Sequence, residues 1–394
     1  MVGRTNQNYT LRQLILYFFK LGYSGFGGPV ALVGYMHRDL VENRKWISEE
    51  EYKEGLALAQ LAPGPLAAQL GIYLGYVHYG IIGASLCGMA FIIPSFIMVV
   101  LLGIAYKIYG GLPWMQAVFY GVGASVIGII AMSSYKLTIK SVGKINLQSV
   151  RQNWILWVFY ILGVAITLIT KAENVLFFVV AGMIYMIVKA PPDWIRKPRT
   201  VNSIILLAGI GFWSYESATL WDIALFFAEA GAFVFGSGLA IVPFLHGGVV
   251  VDHQWLTKHQ FVDAVAVAMI TPGPVVITVG FIGYLVAGFP GACVAALATF
   301  LPCYLLTVIP APYFKKYGHN PSIKAFVDGI TAAVIGALVG AVVIIATRSI
   351  SDLSTVLIAI ATVFAILYLK KVQEPYLILV AAIIGLILKT FIIQ

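Results

Sequence analysis

The amino-acid sequence predicts an all-α integral membrane protein. It would be built from two homologous repeats of inverted topology, whose broken or re-entrant helices meet near the membrane midplane. Three observations carry this reading: a composition too apolar for water, an internal repeat, and basic loops that alternate between the repeats.

Of the 394 residues, 60% are hydrophobic and only 10% charged, with a mean hydropathy of +0.93. A soluble domain carries about 25% charged residues, so this chain lacks the polar surface to cover itself in water. The runs 83–106, 114–135 and 353–369 approach the roughly 20 apolar residues that span a bilayer. The expected setting is therefore the lipid bilayer, as a multi-pass protein of the cell (plasma) membrane. The first residues lack the clean apolar core and small-residue cleavage site of a secretory signal. The net charge of +9 is spread over many loops, as the enrichment of Lys and Arg on the cytoplasmic side predicts, and nucleic acid is not an expected partner. Cys87, Cys293 and Cys303 all lie in apolar segments and none is paired at metal-ligand spacing, so neither a disulfide framework nor a metal centre is expected. The chain has no G-x-x-x-x-G-K-[ST] loop, no His/Glu metal motif and no nucleophile elbow. It is expected to need no cofactor, to hydrolyse no ATP and to be no enzyme.

The repeat emerges when the chain is slid along itself. At an offset of 209 residues (26 to 235), Phe26-Gly27 matches Phe235-Gly236, and Gly22, His37 and Trp46 match Gly231, His246 and Trp255. The same offset pairs Pro63-Gly64-Pro65 with Pro272-Gly273-Pro274. After one dropped residue the offset is 208 (75 to 283), pairing Gly75-Tyr76 with Gly283-Tyr284, Pro94 with Pro302, Gly121 with Gly329 and Gly128 with Gly336. Three parts follow: an N-terminal transporter repeat, 8–190; a basic, proline-rich linker with a short apolar segment near 201–213, together 191–216; and a C-terminal inverted repeat, 217–394.

Basic residues set the orientation. Arg38, Arg44, Lys45 and Lys53 follow the first glycine-rich element, whereas Lys258 alone follows its counterpart. The next loop reverses the bias, Lys107 against Lys315, Lys316 and Lys324, and the alternation continues along the chain. Equivalent loops then lie on opposite sides, which is the inverted architecture of many secondary transporters.

The breaks come next. The pieces 52–62 and 65–77 are each too short to span, and the economical solution is a re-entrant hairpin with its tip at Ala62-Pro63-Gly64-Pro65. Proline disfavours helix in the residue before it and favours a helix's first position, so Pro65 and Pro274 would each open a half-helix. Gly27-Gly28 and Gly236-Ser237-Gly238 would be a second pair of breaks. Half-helix N-termini offer free N–H groups and a positive dipole end, which suit anions. Four could converge, after Gly28, Gly64-Pro65, Gly238 and Gly273-Pro274, with Ser237 and Thr271 hydroxyls and the Gln60 amide as added donors. Such neutral donors suit a small multi-oxygen anion. Charges within apolar segments are functional candidates: Lys20 would draw the anion in, and Glu229, in the equivalent stretch, would carry a coupling proton. His37 and His246 occupy equivalent positions and titrate near neutral pH. Ser48 with Glu51 reads as a capping box, not as catalytic carboxylates.

The motifs "FGGP", "MHRDLVENRKWISEEEY" and "LAQLAPGP", echoed by "FGSG", "VVDHQWLTKHQF" and "TPGP", resemble the chromate ion transporter (CHR) family in its long, two-repeat form. The likeness covers essentially the whole chain. It implies chromate transport, usually efflux that confers chromate resistance, with sulfate as the chemically similar competitor. Carried over by residue, Phe26, Gly27, Gly28, Pro29, Trp46, Pro63-Gly64-Pro65, Gly236 and Pro272-Gly273-Pro274 stand where the family motifs stand. The chain departs from that pattern at Gly236-Ser237-Gly238 and at Glu229, where a basic residue would be expected. The expectation is thus a secondary active transporter of chromate, a tetrahedral oxyanion, with efflux coupled to the proton gradient. A sulfate or other oxyanion transporter or exchanger, or an anion channel, is the alternative. A homodimer is the default oligomer.

Overall fold

The computed structural model describes residues 9–26, 28–110, 112–170, 175–192, 220–233, 241–317, 320–350, 352–369, 372 and 374–391. Most of the expected linker, the short apolar segment near 201–213, Gly27 and the element Gly236-Ser237-Gly238 lie outside the described residues.

The described residues form helices and no strands. The first half comprises α1 (Leu11–Ser24), α2 (Gly28–Met36), α3 (Glu49–Leu61), α4 (Leu66–Tyr109), α5 (Pro113–Ser141), α6 (Leu147–Gln152), α7 (Trp154–Thr170) and α8 (Val175–Lys189). The second comprises α9 (Leu220–Ala232), α10 (Ile241–His246), α11 (Lys258–Ile270), α12 (Thr278–Val308), α13 (Ala311–Tyr317), α14 (Pro321–Ser349), α15 (Leu353–Tyr368) and α16 (Glu374–Phe391). Among the described residues, four stretches, Leu66–Tyr109, Pro113–Ser141, Val275–Phe314 and Pro321–Thr347, are long and apolar enough to cross a membrane.

The predicted capping box is present. Ser48 Oγ accepts from the Glu51 N–H, and the Glu51 carboxylate accepts from the Ser48 N–H at 3.0 Å. Thr257 and Gln260, at the same place in the second half, repeat it, each box stabilising its helix start by about 1 kcal/mol. The long helix α4 is interrupted at Gly80 (φ 61, ψ −150), a backbone region open essentially to glycine alone. There the chain doubles back. A Cβ on Gly75 would meet the Gly83 carbonyl, and one on Gly83 the Gly75 carbonyl, whereas eight residues of continuous helix would hold them about 12 Å apart. Gly288 (φ 64, ψ −155) interrupts α12 in the same way, with Gly283 and Gly291 in close approach.

The two halves interlock. α5 packs against α15 and α16, while α14 packs against α7 and α8. Small residues make the seams: Gly121 lies on the Ala381 carbonyl and Gly385, and Gly128 on the Ala359 carbonyl. Gly329 lies on the Ala181 carbonyl and Gly182, and Gly336 on Tyr160. Where lipid removes most of the hydrophobic drive between helices, close backbone approach supplies the packing energy. α4 and α12 also pack together, and a single core cluster runs from Tyr9 to Ile378 across both halves.

Candidate functional site

Two proline-glycine-proline turns sit deep in this interlock. The first follows α3 and precedes α4. Gly64 takes φ +141, and the fully buried Gln69 reaches back so that its Nε2 donates to the Pro63 carbonyl at 2.7 Å. Gln69 Oε1 is buried and has no hydrogen-bond partner among the described residues. A Cβ on Gly64 would lie 2.7 Å from Gln69 Nε2 and 2.9 Å from Cys303 Sγ.

The second turn follows α11. Gly273 takes φ +99, and its N–H donates to the Gly25 carbonyl, in the other half, at 2.9 Å. A Cβ there would strike Ser95 Oγ, which itself donates to the Gly22 carbonyl at 3.0 Å. Here the chain runs through a 3-10 turn, Val275–Ile277, before α12 starts. The half-helix expected directly at Pro274 is therefore delayed. Ser95 and Cys303 are equivalent under the 208-residue offset, each following a helix proline, Pro94 or Pro302. Each turn is thus seated on the other half's long helix, at corresponding positions.

Of the residues expected at the site, Gly64, Pro65, Thr271, Gly273 and Pro274 are buried at these turns. Thr271 Oγ1 donates to the Val267 carbonyl at 2.6 Å, so its hydroxyl is engaged by its own helix. Phe26 is half-buried and, with Tyr106 and Ile270, lines a cavity of about 470 Å³ between α4, α5, α11 and α16. Gly28 opens α2, while Gly27, Gly236, Ser237 and Gly238 lie outside the described residues. Gln60 is exposed in the last turn of α3, and Lys20 is exposed on α1. Glu229 is half-buried in the last turn of α9. His37 pairs with Glu42 at 3.1 Å and Glu49 at 2.8 Å, away from both turns. His246 is buried against Phe261, ring centroids 5.3 Å apart.

The reading of the sequence missed Gln69, Ser95 and Cys303. It also missed Asp263, whose carboxylate accepts from Tyr106 OH at 2.7 Å. Asp263 stands in the apolar run "FVDAVAVAMI" and pairs with Glu54 under the 209-residue offset, so the criterion that singled out Lys20 and Glu229 applied to it equally. No group of His, Cys, Asp and Glu that would hold a metal ion occurs among the described residues.

In the first turn of α3, Glu51 forms an ion pair with His78 at 3.4 Å. The His78 hydrogen bond, with those of Ser48, outweighs partial burial and holds the Glu51 carboxyl down at about 2.

The family model described as chromate transporter matches residues 12–187 and again residues 221–386. A chromate transport protein of Cupriavidus metallidurans is 63% identical over 386 residues, covering 97% of this chain and 94% of that protein. A probable chromate transport protein of Synechococcus elongatus is 61% identical, covering 96% of each. A chromate transport protein of Pseudomonas aeruginosa is 29% identical, covering 84% of this chain and 80% of that protein. No solved structure matches the chain.

Proposed function

Since the chain belongs to the chromate transporter family, we propose that it is a secondary transporter that moves chromate outward across the plasma membrane, driven by the proton gradient. The repeats are 8–190 and 217–394, inverted with respect to each other and joined by 191–216. The arms on either side of each proline-glycine-proline turn are re-entrant half-helices.

One observation carries this reading: the reciprocal seating of the two turns, Gly64 on Cys303 and Gly273 on Ser95. Two broken elements that meet at equivalent positions of opposite halves are where an inverted-repeat transporter places its cargo. Irregular backbone at membrane depth survives where it is buried in protein or lines a wet cavity. The side chains named at the turns are neutral, so an anion would be held by N–H groups and helix ends rather than by a counter-charge. The Gly273 N–H, bonded to the Gly25 carbonyl, is one such donor, and the anion would take that carbonyl's place. Gln69 Oε1, an acceptor, suits a water of the anion's shell or a protonated oxyanion.

Flux into proteoliposomes tests the proposal, with chromate compared against sulfate and with and without an imposed pH gradient. Saturable chromate movement that follows the gradient is expected. Carriage of sulfate in preference to chromate would overturn the cargo while leaving the helix-end site. Flux that does not saturate would make the protein a channel.

A further inference from the structure

We propose that Asp263, bonded to Tyr106, is the group that takes up and releases the coupling proton. The proposal rests on the proton-driven reading above. Asp263 is 8% exposed on α11, the half-helix that leads to the second turn. Its carboxylate accepts from the Tyr106 hydroxyl, and none of the ion pairs among the described residues includes it. A carboxylate held in apolar surroundings with a neutral donor and no cation is costly as a charge and is readily neutralised by a proton.

The surroundings supply a route. Ala266, Val267 and Ile270 follow Asp263 at three, four and seven residues, one face of a helix, and all three line the 470 Å³ cavity. Tyr106 and Phe26 line it too. The cavity therefore reaches from the hydroxyl on Asp263 to the residue next to Gly25, whose carbonyl holds Gly273. A change at Asp263 is felt within one connected wall by the turn proposed to hold the anion.

Among the other titratable groups on the elements packed around α11, Tyr376 of α16 lines the same cavity. Lys258 and His259, in its own first turn, are exposed, as is Asp252 on the preceding turn. His246 lies against Phe261. On α5, Tyr120 is bonded to Asp352, and Glu374 of α16 has Lys136 of α5 as its charged neighbour. On α12, Tyr284 lies on Gly103 of α4. Tyr106 is the group hydrogen-bonded to Asp263.

The equivalent acid makes the contrast. Glu54 is half-buried and receives Tyr73 OH at 3.2 Å, a bond within the first half. The Tyr106–Asp263 bond joins one half to the other. A movement that draws α4 away from α11 would break it, and protonation of Asp263 removes the charge that strengthens it.

The test uses the purified full chain in proteoliposomes with two readouts: chromate accumulation under a pH gradient, and chromate counterflow without one. Asp263→Asn keeps an oxygen for Tyr106 but cannot titrate. It should lose gradient-driven accumulation and keep counterflow. Tyr106→Phe removes a donor to the charged form and should move the half-maximal pH of accumulation upward by about one unit. Glu54→Gln should still follow the gradient. Accumulation that follows the gradient in Asp263→Asn overturns the proposal. If Asp263→Asn loses both readouts, the Tyr106→Phe profile decides, a shift supporting the assignment and an unmoved profile overturning it. A wild-type protein that ignores the gradient overturns the proton-driven reading itself, and this assignment with it.

Discussion

The two proline-glycine-proline turns share a sequence motif but are held differently. The first is pinned by a side chain of its own half, Gln69 reaching Pro63, and α4 starts at once. The second is tied by its backbone to the other half, Gly273 to Gly25, and α12 starts only after a 3-10 turn. One motif therefore serves two purposes. Both turns touch the other half, but the first does so only through packing against Cys303, whereas the second is also hydrogen-bonded to it. Movement between the halves would break a backbone bond at the second turn and only shift a packing contact at the first.

Substitution at the glycines is the strongest way to break this contrast. Both take positive φ, where a side chain is strained whatever the space. A Cβ on Gly273 also meets Ser95 and, at 3.1 Å, the Gly22 backbone carbonyl, whereas the nearest neighbours of a Cβ on Gly64 are the side chains of Gln69 and Cys303. Leucine at either position should abolish chromate flux. Alanine should separate them, with flux falling roughly 100-fold for Gly273→Ala and about 10-fold for Gly64→Ala, measured as initial rates at equal reconstituted protein. Equal losses would show that the turns are equivalent after all.

Gln69→Leu should cost less. It leaves the Pro63 carbonyl without its donor, a loss of about 1–3 kcal/mol, and flux should fall about 10-fold while Gly273 stays tied to Gly25. Ser95→Ala removes one bond to the Gly22 carbonyl, and thermal unfolding in detergent should register about 1 kcal/mol. Cys303→Ser supplies in the second half the hydroxyl that Ser95 supplies in the first. It should leave both flux and unfolding close to wild type, and a large loss would mean that the two seats are not alike.

The smallest effect concerns the loops before α3 and α11. Both carry a tryptophan, Trp46 or Trp255, with Arg44 over the first at 4.5 Å and His253 stacked on the second at 4.4 Å. Just after the first loop, the first turn of α3 adds the Glu51–His78 pair. Because the folded Glu51 carboxyl titrates at about 2, below its ordinary 4.5, its stabilisation is complete above about 4.5 and is lost as pH falls toward 2. The unfolding temperature in detergent should drop across that window, and drop less in Glu51→Gln. An unchanged slope would remove the pair as the loop's acid-sensitive element.

Much of this architecture was legible in the residues. Glycine and proline announced both turns, Ser48 and Glu51 announced the start of α3, and the gap between the piece 65–77 and the run 83–106 holds Gly80, where the chain reverses. Most of what remained hidden depends on partners far along the chain. Nothing local marks Ser95 or Cys303 as a seat, since each is a small residue in an apolar helix. Gln69 reads as one polar residue among many until the turn brings the Pro63 carbonyl to it. Asp263 was legible by its charge, but its meaning came only with Tyr106 from the other half. Gln60, Lys20 and His37 stood out in sequence for their chemistry, yet chemistry alone does not say which face of a helix a side chain will occupy.

The exchange of helices between halves also has a consequence in time. α5 ends at Ser141, and the helix that covers Gly128 begins at Leu353. At about 5–20 residues per second, a ribosome takes roughly 10–40 s to make the intervening chain. Throughout that interval the glycine stripe of α5 faces lipid or a temporary companion, so the newborn first half waits, unfinished, for the end of its own synthesis.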